Sequence, residues 1–162
     1  MVLKNSTAND NFMMTETVNL FDKKCECAKL QGLQYHFHAP SEHSLNGKLL
    51  DLEMHIVHGL VPNGNQESKF TNGVLGFLFK AVPDDFEFSL NGQTDYHDRF
   101  LKAMLVDSLN EEDDAPKKTL DLTKFVSTLR YNRRWTYTGS LTTAPFSEGI
   151  LWNILEHVIP IR

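Results

Sequence analysis

Three of the seven histidines in this chain stand where a single metal ion could bind to all of them. His36 and His38 are two residues apart in a segment where apolar and polar side chains alternate, so a β-strand would project both from one face. His55 lies in a second alternating segment, which could form the neighbouring strand. Three imidazole nitrogens that leave one coordination position open are typical of catalytic rather than structural zinc sites. A His-x-His pair alone is weak evidence for a metal site. The residues around it determine how strongly the sequence predicts one.

Two polar residues support the metal centre from the same strands. Gln34 and Glu53 each precede one of the three histidines by two positions, which places each on the face of its histidine. A ligating imidazole needs its second nitrogen held by a carboxylate or carbonyl oxygen, and Gln34 and Glu53 are predicted to supply those oxygens. An unpaired polar side chain on an inward face would otherwise be costly to bury. His43 and His58 are interpreted as buried, hydrogen-bonded histidines rather than as ligands.

The segments around the histidines are expected to form strands. Alternation predicts strands at 33–38 and 50–57, and the turn residues within 39–48 predict a connection between antiparallel neighbours. The chain is therefore expected to be β-rich with one or two short helices. The other expected elements are a polar loop at 59–73, a buried strand at 73–82, a helix at 96–109 with Phe100, Leu101, Met104 and Leu105 on one side, and extended segments at 136–143 and 150–159.

The overall composition excludes two classes of partner. The formal net charge is -5, and no basic cluster is larger than Arg133-Arg134 or Lys117-Lys118, which argues against nucleic-acid binding. The longest apolar run, Val74 to Phe79, falls far short of the ~20 residues that a membrane-spanning helix needs. With 162 residues and no linker, the chain is expected to be a single domain. Its first residues lack the pattern of a secretory signal or a transit peptide. Either the protein is intracellular, in the cytoplasm or an organelle, which is the favoured interpretation, or Met1 is not the true start of the gene product.

Two stretches of the sequence closely resemble the α-carbonic anhydrases. The first is QYHFHAPSEH at 34–43, followed by EMHIVH at 53–58, and the second is WTYTGSLTTAPFSE at 135–148, with Trp152 four residues further on. The motifs occur in the order and approximate spacing of that family, and the combination is highly specific. The resemblance implies a mainly β (α+β) fold with a twisted, mostly antiparallel central sheet and few short helices. It also implies a Zn²⁺ cofactor and the reversible hydration of CO2 to bicarbonate and a proton.

The resemblance implies a role for each residue of the site. Thr142 would be the gatekeeping hydroxyl, which accepts a hydrogen bond from zinc-bound hydroxide and donates its own to Glu42. A threonine that must donate to a carboxylate can only accept from the nucleophile, so it would orient the attacking lone pair. The implied zinc ligands are His36, His38 and His55, with Gln34 and Glu53 holding their imidazoles. The implied substrate pocket consists of Val57, Val74, Leu141, Thr143 and Trp152.

The sequence also departs from the family pattern. Typical members are longer at both ends, so residues 1–162 are expected to form an incomplete domain. Another protein chain, a further part of this one or neighbours in a larger assembly would complete it. Thr7 is the expected equivalent of the position that often carries a proton-shuttle histidine, and threonine cannot titrate near neutral pH. An active protein would then depend more on buffer, or on another group, to export protons. Phe146 stands where extracellular members often place a disulfide cysteine, which again favours an intracellular location.

Two other interpretations remain open at this point. A non-catalytic, carbonic anhydrase-like zinc subunit could serve as a structural or interaction module in a larger assembly, as the altered shuttle position and the short ends would suggest. A cupin could use His36, His38 and Glu42 to bind iron or manganese. Against the cupin, the spacing to Gly47 is short and no Pro-x-Gly precedes His55.

Overall fold

The computed structural model describes residues 2–5, 12–18, 26–60, 70–83, 93–109, 122–131 and 133–162. Within these ranges the chain forms a mixed seven-stranded sheet, a two-stranded hairpin and two helices. The strands are β1 (Val2–Asn5), β2 (Phe12–Val18), β3 (Glu26–His38), β4 (Ser44–Leu45), β5 (Lys48–Leu49), β6 (Leu52–Leu60), β7 (Asn72–Ala81), β8 (Arg134–Ser140) and β9 (Glu148–Ile161), and the helices are α1 (Gln93–Leu109) and α2 (Leu122–Ser127).

The large sheet has the strand order β1-β2-β3-β6-β7-β9-β8. Every neighbouring pair is antiparallel except β7 and β9, which run parallel. This architecture confirms the predicted fold class, a mostly antiparallel central sheet with few helices. The predicted buried strand at 73–82 is β7, and the predicted helix at 96–109 is α1, which begins three residues earlier, at Gln93.

The connection between β3 and β6 contains a small feature that the sequence did not predict. Residues 39–48 were expected only to join antiparallel neighbours, but β4 and β5 form a hairpin there. Asn46 and Gly47 make its turn with φ values of 52° and 77°, in the left-handed region that these two residue types tolerate best. β6 runs to Leu60 and β7 starts at Asn72, so both strands extend into the predicted loop at 59–73. Residues 61–69 of that loop lie outside the described ranges.

The two faces of the sheet carry different side chains because successive strand residues point to opposite sides. On one face, apolar residues of β6, β7 and β9 pack against α1 and α2, where Phe100 and Phe125 stack with their ring centroids 4.0 Å apart. Each large apolar side chain buried there contributes roughly 1.5–3 kcal/mol to the free energy of folding. The opposite face carries the three histidines and a second apolar cluster, which includes Val57, Val74 and Trp152.

The imidazole ring of His58 on β6 is buried. Neither of its ring nitrogens lies within hydrogen-bonding distance of a partner among the described residues, which differs from the hydrogen-bonded state expected from the sequence. Burial lowers the pKa of His58 to about 4, and the backbone at Ile56 and Gly73 offsets this effect only in part. The folded protein therefore holds His58 neutral where an exposed histidine would begin to take up a proton.

The replacement His58→Leu is expected to weaken the pH dependence of the free energy of unfolding between about pH 4 and 6.5. The unfolded chain takes up this proton near its ordinary pKa of 6.5 and the folded chain only near 4, so the unfolded state binds more protons between these values. The free energy of unfolding should therefore fall as the pH is lowered through this window, by about 3 kcal/mol from His58 alone. Urea unfolding of wild type and variant at several pH values would measure the difference. Met54→Leu, a buried replacement on the same strand, should keep the wild-type slope, and parallel wild-type and His58→Leu curves would contradict the expectation.

Candidate metal centre

Two adjacent strands bring the three predicted ligands together. β3 contributes His36 and His38, and the pairing register places His55 of β6 directly opposite His36. The ring centroids lie 4.9 Å apart for the two β3 histidines, and 5.3 Å and 4.8 Å from His55 to His36 and His38. One nitrogen from each ring lies within 4.8 Å of the other two. Tetrahedral zinc with bonds of about 2.0–2.1 Å holds its nitrogens about 3.3 Å apart, so small ring rotations would close this site around an ion.

Two features of these rings suit metal binding. The Nε2 atom of His38 is buried and has no hydrogen-bond partner in the described part of the chain. Such an atom costs about 1–3 kcal/mol, and a metal ion would satisfy it. Burial, together with the charges of His55 and His38, lowers the pKa of His36, which favours the neutral imidazole that a metal requires. The donor set, three imidazole nitrogens on one face of a sheet, fits zinc.

Glu53 is the buried anion of the site. The Oε1 atom lies 2.7 Å from the Nε2 atom of His55 and 2.6 Å from the Nδ1 atom of His43, and its Oε2 atom accepts the backbone N–H of His43 at 2.9 Å. Burial by itself raises the pKa of Glu53, but the hydrogen bonds from His43 and His55 outweigh it and hold the pKa well below its usual range. An ionised Glu53 therefore fixes the ring of His55, in the geometry expected of a carboxylate that supports a metal ligand.

Gln34 is placed differently from Glu53. It is exposed on β3, next to an irregularity in the strand between Gly32 and Gln34. Within the described ranges, no hydrogen bond joins its side chain to His36. The predicted role of Gln34 as a partner of His36 stays a prediction.

A tight turn after β3 presents Glu42 to the site. Ser41 is buried, and its Oγ atom donates to the carbonyl of His43 and accepts the backbone N–H of Leu50. Glu42 lies between Ser41 and His43 in the sequence, and its carboxylate faces Thr142. The hydroxyl of Thr142 donates to the Oε2 atom of Glu42 at 2.9 Å. The turn thus brings Glu42 into contact with Thr142, which lies 100 positions later in the sequence, as the resemblance implies.

The carboxylate of Glu42 also faces two of the metal-site rings. Its Oε1 atom lies 3.5 Å from the Nδ1 atom of His38, and its Oε2 atom lies 3.9 Å from the Nδ1 atom of His55. The hydroxyl of Thr142 therefore lies beside the histidine cluster and not elsewhere on the surface. The catalytic roles of Thr142 and Glu42 are untested by this contact, but their expected hydrogen bond is present.

An apolar wall borders the histidines on the same face. Four of the five residues predicted for the substrate pocket, Val57, Val74, Leu141 and Trp152, belong to one cluster. The indole of Trp152 lies 4.9 Å from the ring of His55, and its N–H donates to the carbonyl of Ser140 at 3.1 Å. The fifth residue, Thr143, is exposed, and its carbonyl accepts the backbone N–H of Phe146.

Gly76 makes room for the charged part of the site. It lies directly opposite His55 in the register of β6 and β7. A Cβ atom at this position would stand 2.5 Å from Cδ1 of Ile154 and 3.3 Å from Oε1 of Glu53. A side chain at this position would therefore displace the end of Ile154 and press on the carboxylate of Glu53.

Two contacts of this site were missed from the sequence. The sequence predicts a buried, hydrogen-bonded His43, but it does not indicate the partners that the structure shows, Glu53 and Tyr137. The Nε2 atom of His43 lies 2.6 Å from the hydroxyl of Tyr137, across 94 positions of sequence. The available signal was the position of Tyr137 within the 135–148 motif. Thr7, the expected shuttle position, lies outside the described residues.

Comparison with known proteins agrees with this geometry. A sequence profile of the eukaryotic-type carbonic anhydrases matches residues 1–162. The chain belongs to this family. Alpha carbonic anhydrase 5 of Arabidopsis thaliana is 35% identical over 131 residues, which are 80% of this chain and 40% of that protein. A carbonic anhydrase of Nostoc sp. is 33% identical over 134 residues, 78% of this chain and 41% of the relative.

Solved structures show the same fold. The α-carbonic anhydrase of Thermovibrio ammonificans, in complex with the inhibitor sulfanilamide, is 29% identical with a TM-score of 0.54, over 83% of this chain and 50% of the other. The α-carbonic anhydrase of Photobacterium profundum is 25% identical with a TM-score of 0.59, over 85% and 54%. The chain thus spans about half the length of these structures. Neither described helix is long and apolar enough to cross a membrane.

Proposed function

We propose that this chain binds one zinc ion through His36, His38 and His55 and catalyses the reversible reaction of CO2 and water to bicarbonate and a proton. The observation that carries the proposal is the convergence of the three rings, with a buried, unpartnered nitrogen on His38. When bound, zinc supplies Lewis acidity and, in carbonic anhydrases generally, brings the pKa of a water ligand to about 7. Membership of the carbonic anhydrase family supports both the metal and the reaction.

Thr142 and Glu42 would orient the nucleophile. The proton of the Thr142 hydroxyl is committed to the carboxylate of Glu42, because an ionised carboxylate can only accept. The oxygen of Thr142 is then restricted to accepting a hydrogen bond from the group that attacks CO2. This restriction points a lone pair of the attacking oxygen away from the threonine and fixes its direction before reaction.

The apolar wall would receive the substrate. CO2 carries no net charge and no hydrogen-bond donor, so a surface formed by Val57, Val74, Leu141 and Trp152 can hold it without desolvating a polar group. Bicarbonate is charged and gains little from the same surface. The wall should therefore favour entry of the substrate over retention of the product.

Different observations bear on the two alternatives, a non-catalytic zinc subunit and a cupin. A non-catalytic zinc subunit would not need a hydroxyl held by a carboxylate beside the histidines, so the Thr142–Glu42 hydrogen bond favours the enzyme. The cupin interpretation is wrong, because the whole chain matches the carbonic anhydrases. Two predictions remain untested: that other protein chains complete the fold, and that the protein is intracellular.

A stopped-flow measurement of CO2 hydration tests the proposal. Zinc-loaded protein, assayed with buffer in excess to replace a proton shuttle, should exceed the buffer blank. Treatment with a chelator should remove the excess rate, and returned zinc should restore it. A zinc-loaded, folded protein with no rate above the blank would support the non-catalytic subunit instead.

A further inference from the structure

We infer that His97 and His157 form a pH-sensitive latch, which holds α2 and the turn after it against α1 and β9 and opens when both rings take up a proton. His97 lies on α1 and His157 on β9, and each contacts one residue of the turn at 128–131. The helices pack on the face of the sheet opposite the three metal-site histidines, so the latch is independent of the proposed function.

The neutral ring of His97 carries its proton on a defined nitrogen. The Nε2 atom of His97 lies 2.9 Å from the Oγ1 atom of Thr128, whose own hydroxyl proton is donated to the carbonyl of Phe125 at 2.7 Å. The oxygen of Thr128 therefore accepts, and the Nε2 atom of His97 is the donor. The Nδ1 atom is left with a lone pair, and it is buried without a hydrogen-bond partner among the described residues. A second proton can enter this ring only there.

His157 holds the same turn from the side of β9. Its Nδ1 atom accepts the backbone N–H of Arg130 at 3.2 Å, so the neutral ring of His157 carries its proton on Nε2. A second proton would have to enter at Nδ1, where it would set two donors against each other. Protonation of His157 therefore breaks its contact with the turn, and protonation of His97 places a charge in a buried position that offers it no acceptor.

The charges around the two rings oppose protonation while the latch is closed. Burial and the charge of His157 lower the pKa of His97, and Asp98, its neighbour on α1, offsets this only in part. Burial, with the charge of Arg130, lowers the pKa of His157. The other charged groups on the elements packed there are the Asp98–Arg162 and Glu156–Arg133 ion pairs and Lys124, whose ammonium lies over the ring of Tyr96.

Apolar packing keeps the latch closed near neutral pH. The helix and the turn bury four apolar side chains, Leu122, Phe125, Val126 and Leu129. Phe125 stacks on Phe100 of α1 and also meets the ring of His97 edge-on, with the centroids 5.7 Å apart. Opening exposes this surface to water, so it is a rare event. Protonation of the latch raises the frequency of opening and does not unfold the whole chain.

Titratable side chains are not needed for the docking itself. The turn requires one donor opposite Thr128 and one acceptor opposite the N–H of Arg130. A glutamine at position 97 and an asparagine at position 157 carry amide groups that can fill these two roles without titrating. Histidine at both positions adds the ability to take up a proton, on two sides of the same turn.

The direction of the pH effect follows from the lowered pKa values. The open segment exposes both rings, which then take up protons near their ordinary pKa of 6.5, whereas the closed latch takes them up only at lower pH. The open state therefore binds more protons below pH 6.5. The equilibrium constant for opening should rise as the pH falls, by up to about 10-fold per pH unit for each histidine.

Hydrogen exchange at the backbone N–H of Arg130, followed from about pH 7 to 5, tests the inference, because local opening exposes this group. Its protection factor, which corrects for the pH dependence of exchange itself, should fall below pH 6.5 by about 10–100-fold per pH unit. The double variant His97→Gln with His157→Asn should show no such fall. His58→Leu, which removes a buried histidine of the sheet, should fall as the wild type does.

A protection factor that stays constant in the wild type would overturn the inference, and so would an equal fall in the double variant. If His58→Leu abolishes the fall, Arg130 exchanges through unfolding of the whole chain, and the latch is wrong. Should the double variant not fold, long-range proton–nitrogen NMR spectra of the wild type near neutral pH decide, since a neutral ring with its proton on Nδ1 of His97 or His157 contradicts the geometry. A failure to hydrate CO2 would overturn the proposed function and leave the latch standing.

Discussion

Replacement of His38 by alanine is expected to abolish zinc retention. The Nε2 atom of His38 is buried and unpartnered among the described residues, and its ring centroid lies 4.9 Å and 4.8 Å from those of His36 and His55. Two nitrogens cannot complete a site that needs three protein ligands and one open position. Loss of an outer partner already costs about 10–100-fold in affinity, so loss of a ligand should cost more than about 100-fold. Zinc content after dialysis against a chelator would measure it.

His157→Ala provides the matched control, because it removes a histidine that lies outside the site. It should retain zinc as the wild type does. If His38→Ala also retains one zinc ion per chain, His38 is not a ligand. The neighbouring group of His43, Glu53 and His55 would then be the candidate for the metal.

Thr142→Ala is expected to keep zinc but lower the rate of CO2 hydration by about 100-fold, the scale of a misdirected reacting group. The threonine binds Glu42 and not the ligands, so the metal should stay in place. The loss should fall on kcat, since the hydroxyl orients the nucleophile and does not form the apolar wall. Stopped-flow assays at matched zinc content would measure it.

Thr142→Ser keeps a hydroxyl and should recover most of the rate. Thr138→Ala, an exposed replacement on β8, should match the wild type. If Thr142→Ala hydrates CO2 as fast as the wild type, the role assigned to the Thr142–Glu42 pair is wrong. The fold and the metal centre would be unaffected by that result.

The predictions for zinc retention and for turnover concern residues in different parts of the fold. His38 and its partners stand on β3 and β6, in the interior of the sheet, where neighbouring strands fix both backbones. Glu42 and Thr142 follow strand ends. Ser41 anchors the turn at Glu42, and the backbone hydrogen bond from Leu141 to Ser147 anchors the loop at Thr142. Sites on strands are held more rigidly than sites on loops. We therefore expect zinc affinity to tolerate surface changes better than turnover does.

Local patterns predicted the strands that carry the site and helix α1, but not β1, β2 or α2. Alternation around His36 and His55 predicted two paired strands, and the apolar run at 73–82 predicted a fully buried one, because these patterns depend only on which face of a strand a residue occupies. Such patterns could not predict the parallel pairing of β7 with β9. It joins residues 72–81 to 148–161, and no local signal records which strand lies beside which.

What the sequence determined by itself is the chemistry available: three imidazoles, a carboxylate two residues before one of them, and motifs of a known family. Only the tertiary structure decided which of these groups meet. It paired His43 with Glu53 and Tyr137 and left Gln34 exposed on β3. The reason is physical, because alternation gives the face of a side chain, whereas contact also requires strand register, ring orientation and a partner from a distant strand.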